Sequence, residues 1–336
     1  MARLQTRFDP IAQVNPPVKP LVFEIFVSAG FSAFEISSIT QTLNLANEIN
    51  NQALFAWRYV SDKPGFVTGA GDVIVRAEPA IEDYGFSEVM VVVGGAGVAP
   101  EGWLKRARQM QRKGLAVALL SDAATAYIRA THAPSGYVTT HWHDAAILDE
   151  AGYYPDLTDR LSEKSDGIIT AAGVGATAEL VIGLIAPLLD ARQVAELGNR
   201  LLLPTIRKSD AAQPKEISGN PSLFDDQVAR IVSLMEKTVA DPLCMPSLTA
   251  QVGLSTRHVE RLFREVFQES PARFYKQLRT KKAWSMIEET MMPLADIAAA
   301  TGFKTAGTMA KAVQGTYGET PTKLRSRKNR KLLKFA

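Results

Sequence analysis

Arg257, Glu260, Arg261 and Arg264 recur at helical spacing between Thr256 and Phe267, and together with Thr256 they have the chemistry needed to read DNA bases. Arginine can donate two hydrogen bonds to guanine, glutamate can accept one from cytosine, and an α-helix fits the major groove. The same segment sets Val259, Leu262, Phe263 and Val266 on an apolar side, which turns the charged set outward. Just upstream, Ser247 offers an N-cap for a short helix over Leu248 to Val252, Gly253 permits a tight turn, Leu254 fills the angle, and Ser255 caps the helix that follows. That is a helix-turn-helix. A solvated charged helix face explains one such pattern equally well, so the weight falls on its repetition.

The pattern does repeat. Ala295 to Thr301 is an alanine-rich helix, Gly302 the turn, Phe303 the apolar plug, and about Thr305 to Gln314 the second recognition segment. Between the two patterns, Ser270 and Pro271 form an N-cap and N1 pair for a helix running to about Glu289, with Phe274, Leu278 and Ile287 among its apolar positions. Such a helix would hold two readers about one DNA turn apart. The second segment presents Ala306, Gly307, Met309, Ala310 and Val313, which cannot read base edges, so Thr308 and Lys311 are expected to hold the phosphate backbone while the first unit supplies the discrimination.

These residues resemble the AraC family: Leu254-Ser255, Arg261-Leu-Phe263, Ser270-Pro-Ala272, Ile297-Ala298, Gly302-Phe303 and Thr320-Pro321 stand where the family's repeated signature has them. The resemblance covers roughly Asp225 to Arg325 and implies a transcription regulator that binds double-stranded promoter or operator DNA. It departs from the family in the second recognition segment, whose usual polar face is missing.

Charge is divided in the same sense. From Asp225 to Ala336 there are 19 Lys+Arg against 11 Asp+Glu; whole-chain totals of 38 and 35 leave 19 against 24 for the first 224 residues. A basic C-terminal part attracts phosphate and an acidic N-terminal part does not. The 336 residues and 46% hydrophobic content suit two ordinary cores. The expected division is a loose arm at 1–20, a sheet domain at 21–205, a linker at 206–224, the DNA-binding domain at 225–325 and a basic tail at 326–336, the tail adding phosphate contacts or solubility. No segment has signal-peptide or membrane-spanning character, which leads to a cytoplasmic expectation. Cys244, the only cysteine, excludes an internal disulfide and a thiolate metal cluster, and is expected to be a small buried residue.

From Leu21 to about Leu189 the pattern alternates: strands at Leu21–Val27, Trp57–Val60, Glu88–Val93 and Leu115–Leu120, helices at Ala33–Asn50 and Trp103–Lys113. Apolar strands separated by helices predict an α/β fold with a parallel sheet covered on both faces, and ligands then sit beyond the C-terminal strand ends. Gly30 to Glu35, Gly94-Gly95 and Ser121-Asp122 fall there. Each has a plain alternative. Gly94-Gly95-Ala96-Gly97 lacks the dinucleotide spacing and reads as a turn, and Ser121 is also a good helix N-cap. His141 and His143, with only distant His132 as a third candidate, make a poor metal site, so no metal or cofactor is expected.

Taken together these features resemble the PfpI/ThiJ superfamily, the flavodoxin-like, class I amidotransferase-like fold, in the GlxA-type form fused to an AraC double helix-turn-helix. Gly30-Phe31 with Glu35 resembles its first loop and inward carboxylate, Val91 to Gly95 its oxyanion-side loop, Thr139-Thr-His-Trp142 its histidine segment, Ser121 its nucleophile elbow, and Thr170 to Gly173 with Glu179 its last strand and helix. The enzymes have cysteine at the elbow; serine without a base is a poor nucleophile. The pocket is therefore expected to sense a small effector through Glu35, Gly95, Ser121, Asp122, His141 and Trp142. Glu35 and Asp122 would favour a cationic or nitrogenous metabolite, and Trp142 could face an ammonium group. Trp142 as core and Glu35 as an internally bonded residue remain open, as does a rival hydrolase or lyase with a DNA-binding region attached. Further partners implied are a second copy of the chain and, at a promoter, RNA polymerase.

Overall fold

A computed structural model describes residues 19–80, 86–96, 98–131, 136–150, 156–214, 217 and 225–332. Most of the expected arm, Gly97, His132, much of the expected linker and the last four residues lie outside the described residues. The chain divides into two compact units, one of Met1–His141 with Asp156–Ala211, the other of Trp142–Pro155 with Ala212–Ala336.

The first unit is built on eight strands: β1 (Leu21–Phe26), β2 (Phe55–Ser61), β3 (Gly65–Thr68), β4 (Ile74–Pro79), β5 (Val89–Val92), β6 (Ala116–Leu120), β7 (Ser162–Ser165) and β8 (Ile168–Ala171), in the order β3-β4-β2-β1-β5-β6-β8-β7. The pairings from β4 through β2, β1, β5 and β6 to β8 are parallel. At both edges the parallel expectation is corrected, because β3 on β4 and β7 on β8 run antiparallel. These edge hairpins escape a search for apolar runs: β4 is largely exposed and β7 reads Ser-Glu-Lys-Ser.

The central strands are buried on both sides, which requires cover on both faces. One face packs Phe23, Ile25, Val91 and Ala118 against α1 (Ala33–Asn50). On the other, Glu24 of β1 bonds Arg106 of α2 (Leu104–Arg112), a buried charge pair that Arg58 also joins at 2.9 Å. After β6 comes α3 (Asp122–Thr131); α4 (Trp142–Glu150) falls in the second unit; α5 (Thr177–Ile185) and α6 (Ala191–Arg200) return to pack on α1. Helix α6 is fixed locally: Asp190 closes a capping box with Gln193, and Val194, Leu197 and Leu201 face the core.

The helical remainder of the second unit comprises α7 (Asp226–Lys237), α8 (Met245–Val252), α9 (Thr256–Phe267), α10 (Pro271–Glu289), α11 (Leu294–Ala300), α12 (Ala306–Tyr317) and α13 (Pro321–Leu332). Two apolar clusters form, one holding α7, α8 and α9, the other α11, α12 and α13. Helix α10 belongs to both, giving Phe274 and Tyr275 to the first and Ala283 and Ile287 to the second. Its 19 residues correspond to about 28 Å of helix.

Three local expectations are corrected. Helix α8 begins at Met245 with Cys244 at the N-cap and Pro246 in its first turn, so Ser247 lies inside the helix rather than capping it. Cys244 is exposed, not buried, its thiol 3.1 Å from the Ser247 hydroxyl. Val266 is exposed, and Phe267 turns inward instead, its ring 4.4 Å from that of Phe274.

Candidate nucleic-acid interface and strand-end site

Helix α9 is fixed by strong local chemistry. The Ser255 hydroxyl accepts from the His258 N–H at 3.3 Å, and Val259 and Phe263 are fully buried against α7 and α8. Thr256, Arg257, Arg261 and Arg264 are exposed and Glu260 is half-buried, so all five expected contacts lie away from the core. A groove of about 790 Å³ runs along that face between Ser255 and Gln268, lined by Arg257, Glu260, Arg261 and Arg264. Arg261 Nη1 donates to Glu265 Oε1 at 2.8 Å, and both residues line the groove.

On α12 the arrangement is poorer in donors. Met309 and Val313 are buried in the second cluster, leaving Gly307, Thr308, Lys311 and Gln314 outside. The Thr308 hydroxyl is engaged in a capping box, accepting from the Thr305 N–H at 3.3 Å and donating to the Thr305 carbonyl at 2.8 Å. Lys311 is exposed. Arg279 of α10 ties this half down: Nε donates to the Thr301 carbonyl at 3.0 Å, Nη2 to that of Gly302 at 2.8 Å, and the guanidinium lies 4.6 Å over the Phe303 ring. The guanidinium thus satisfies the carbonyls that α11 leaves at its end.

In the first unit, Glu35, Gly94-Gly95 and Ser121-Asp122 converge at the C-terminal ends of β1, β5 and β6. Ser121 holds φ at +39°, an uncommon left-handed conformation for a residue with a side chain. The missing side chain of Gly94 makes room for the Ser121 hydroxyl, which a Cβ there would strike. That hydroxyl donates to Glu35 Oε1 at 2.9 Å; the Val174 N–H donates to the same oxygen and the Gly94 N–H to Oε2, each at 2.8 Å. Glu35 is 0% exposed and Ser121 6%. Burial pushes the Glu35 carboxyl above its ordinary range; the two backbone donors and Ser121 oppose that, and the nearby Asp122 charge adds to it.

Asp122 is the exposed member of the group, and its Oδ2 accepts from the Gly95 N–H at 2.9 Å. Thr140, next to His141, donates to the Ser121 carbonyl at 3.0 Å and lies 2.6 Å from the Thr125 hydroxyl. Four expected residues are therefore brought together: Glu35, Gly95, Ser121 and Asp122. His141 follows on Thr140 and is half-buried, whereas Trp142 opens α4 in the second unit. Val174 and Thr125 carry no sequence signal for this role, and Thr140 is marked only as a member of the segment Thr139 to Trp142. Chemically the nexus is a carboxylate and a hydroxyl already bonded to each other, with one exposed carboxylate at the rim.

A family model described as "Helix-turn-helix domain" matches residues 248–327. Over 312 residues the chain is 24% identical to the HTH-type transcriptional regulator CdhR of Pseudomonas aeruginosa, spanning 90% of this chain and 91% of that one. It is 25% identical over 311 residues to the HTH-type transcriptional regulator GlxA of Rhizobium meliloti, spanning 88% and 93%. Among solved structures, an AraC family transcriptional regulator from Pseudomonas putida aligns with 54% of this chain and 100% of its own, at 20% identity and a TM-score of 0.46.

Proposed function

We propose that this chain is a DNA-binding AraC-type transcription regulator of the GlxA kind, that it reads promoter sequence chiefly through α9, and that it adjusts that reading to a small effector taken up by its sheet unit, a reading supported by its helix-turn-helix match and its similarity to two such regulators. The observation that carries the first part is the exposed face of α9, where Arg257, Glu260, Arg261 and Arg264 line one groove. Helix α12 offers Lys311, suited to phosphate rather than to bases, while the Thr308 hydroxyl already gives its one proton to the Thr305 carbonyl. The test is selection of preferred duplexes from a random pool by the full chain. Arg257→Ala and Arg261→Ala should each lose roughly tenfold of discrimination at one base pair. Full retention of preference by both variants overturns the assignment to α9.

The effector reading rests on Asp122 at the strand ends, an exposed carboxylate beside the Gly95 N–H, with the Glu35–Ser121 pair beneath and His141 following Thr140, whose hydroxyl bonds the Ser121 carbonyl. The exposed Asp122 carboxylate favours a cationic, nitrogenous metabolite. In a thermal-shift panel of amines and amino acids, cationic members should stabilise the full chain and Asp122→Asn should remove the effect. Stabilisation by neutral or acidic compounds alone would sink it. We further propose that the regulator works in the cytoplasm as a homodimer on paired half-sites and meets RNA polymerase at the promoter.

A hydrolase or lyase reading has one observation in its favour, the strained Ser121 with its hydroxyl on a carboxylate. Ser121→Ala separates the two: DNA selection survives under both readings, while a turnover is lost only under the second.

A further inference from the structure

Among the described contacts, Arg261 is held at both ends of its guanidinium. Nη1 donates to Glu265 at 2.8 Å, and Nη2 donates to His258 Nδ1 at 3.2 Å. A guanidinium has only donors, so the Nδ1 that it meets carries no proton. In the neutral ring the proton then sits on Nε2, which faces an acceptor, Gln227 Oε1, at 2.8 Å. The contacts form one directed chain, Arg261 to His258 to Gln227, which crosses from α9 to α7, and each link fixes the sense of the next. Gln227 is itself seated, since its backbone N–H donates at 2.9 Å to Oδ1 of Asp225, the N-cap of α7. Sequence spacing marks His258 only as the neighbour of Arg257 and is silent on Gln227, 31 residues away.

We propose that His258 and Gln227 are positioning residues for Arg261, holding its guanidinium over the groove before DNA arrives. The inference rests on the reading of Arg261 as a base contact and adds the mechanism that orders it. An arginine side chain loses considerable rotamer freedom when fixed, and a residue already fixed loses less on binding. Gln227 supplies the tautomer. With it gone, the His258 ring is free to carry its proton on Nδ1, donor would then face donor, and Arg261 would keep only Glu265.

The test uses the full chain and the duplexes it recovers from a random pool. Arg261→Ala identifies the base pair that Arg261 reads, by a loss of roughly tenfold in discrimination there. Gln227→Leu should lose about threefold to tenfold at that same base pair, keep every other preference, and keep the melting temperature and salt dependence of the wild type. Adding Gln227→Leu to Arg261→Ala should change nothing further at that position, the mark of a residue acting through another. Nitrogen-15 resonances of the His258 ring should show a bare Nδ1 in the wild type and mixed tautomers in Gln227→Leu. The inference is overturned if Gln227→Leu leaves the preferences intact, weakens all duplexes equally, or adds in full to Arg261→Ala. A wild-type chain with preferences that Arg261→Ala leaves untouched sinks the base-reading assignment instead, which is a separate result.

Discussion

At Glu35 a single buried carboxylate joins three loops, because the donors it accepts come from the chain after β5, at the end of β6 and after β8. Desolvation raises its folded pKa above the ordinary 4.5 despite those donors. Between 4.5 and the higher folded value, the folded chain keeps a proton that the unfolded chain has released. The stability contributed by this titration is therefore fully present below 4.5 and is lost as pH rises through the folded value, the reverse of a salt-bridged carboxylate. The Glu35 carboxyl carbon resonance should titrate above pH 4.5, and Glu35→Gln should remove that part of the pH slope of stability. A titration at or below the ordinary value contradicts the desolvation argument. Glu35→Ala, which orphans three donors in a buried place, should cost about 3 kcal/mol or more in a denaturant melt. The resemblance to the PfpI/ThiJ superfamily implies that Glu35 points inward, yet the sequence cannot reveal the Val174 N–H, which arrives from 139 residues away. Similarly, Cys244 reads as a buried small residue by type, and only the earlier start of α8 puts it on the surface.

The two turns within the helix-turn-helix units look equivalent in sequence and differ in their surroundings. Gly253 and Gly302 both take left-handed conformations, φ +70° and +67°. A Cβ on Gly253 meets nothing within 4 Å, while one on Gly302 would lie 2.5 Å from the Val239 carbonyl oxygen and 2.6 Å from Pro242 Cδ. Gly302 is thus where the backbones of the two helical halves touch, on the side opposite in sequence to the α10 connection. Gly253→Ala should cost about 1 kcal/mol of backbone strain, whereas Gly302→Ala should cost about 3 kcal/mol and loosen the pairing of the halves. Equal melting temperatures for the two variants would refute this contrast. Elements with complete local signals were legible: α1 and α10 have the expected limits because Ser32 and Ser270 cap them. Strands β3 and β4 were not, since Val67 and Ala77 are buried while Phe66 and Ile74 are exposed, which leaves no continuous apolar run. Helix α13 runs to Leu332, carrying helix into the stretch expected as a basic tail, because Pro321 starts it well and no breaker follows.

Across the whole chain, charge is segregated: 19 basic against 11 acidic residues from Asp225 onward, 19 against 24 before it. The stretch from Asp225 also holds the buried residues of both apolar clusters that support α9 and α12. Phosphate attraction comes from the basic part and acts with little regard to sequence, whereas the acidic part opposes it over distances set by salt. A segment of residues 225–336 should therefore bind scrambled duplex more tightly than the full chain in dilute salt, where charges act over about 30 Å at 0.01 M. The gap should close near 1 M, where they act over about 3 Å. Lys311→Ala should weaken binding to preferred and scrambled duplexes alike and reduce the salt slope by about 1, unlike the variants of α9. Equal affinity of segment and full chain for scrambled duplex in dilute salt would mean that the acidic part exerts no field on the DNA.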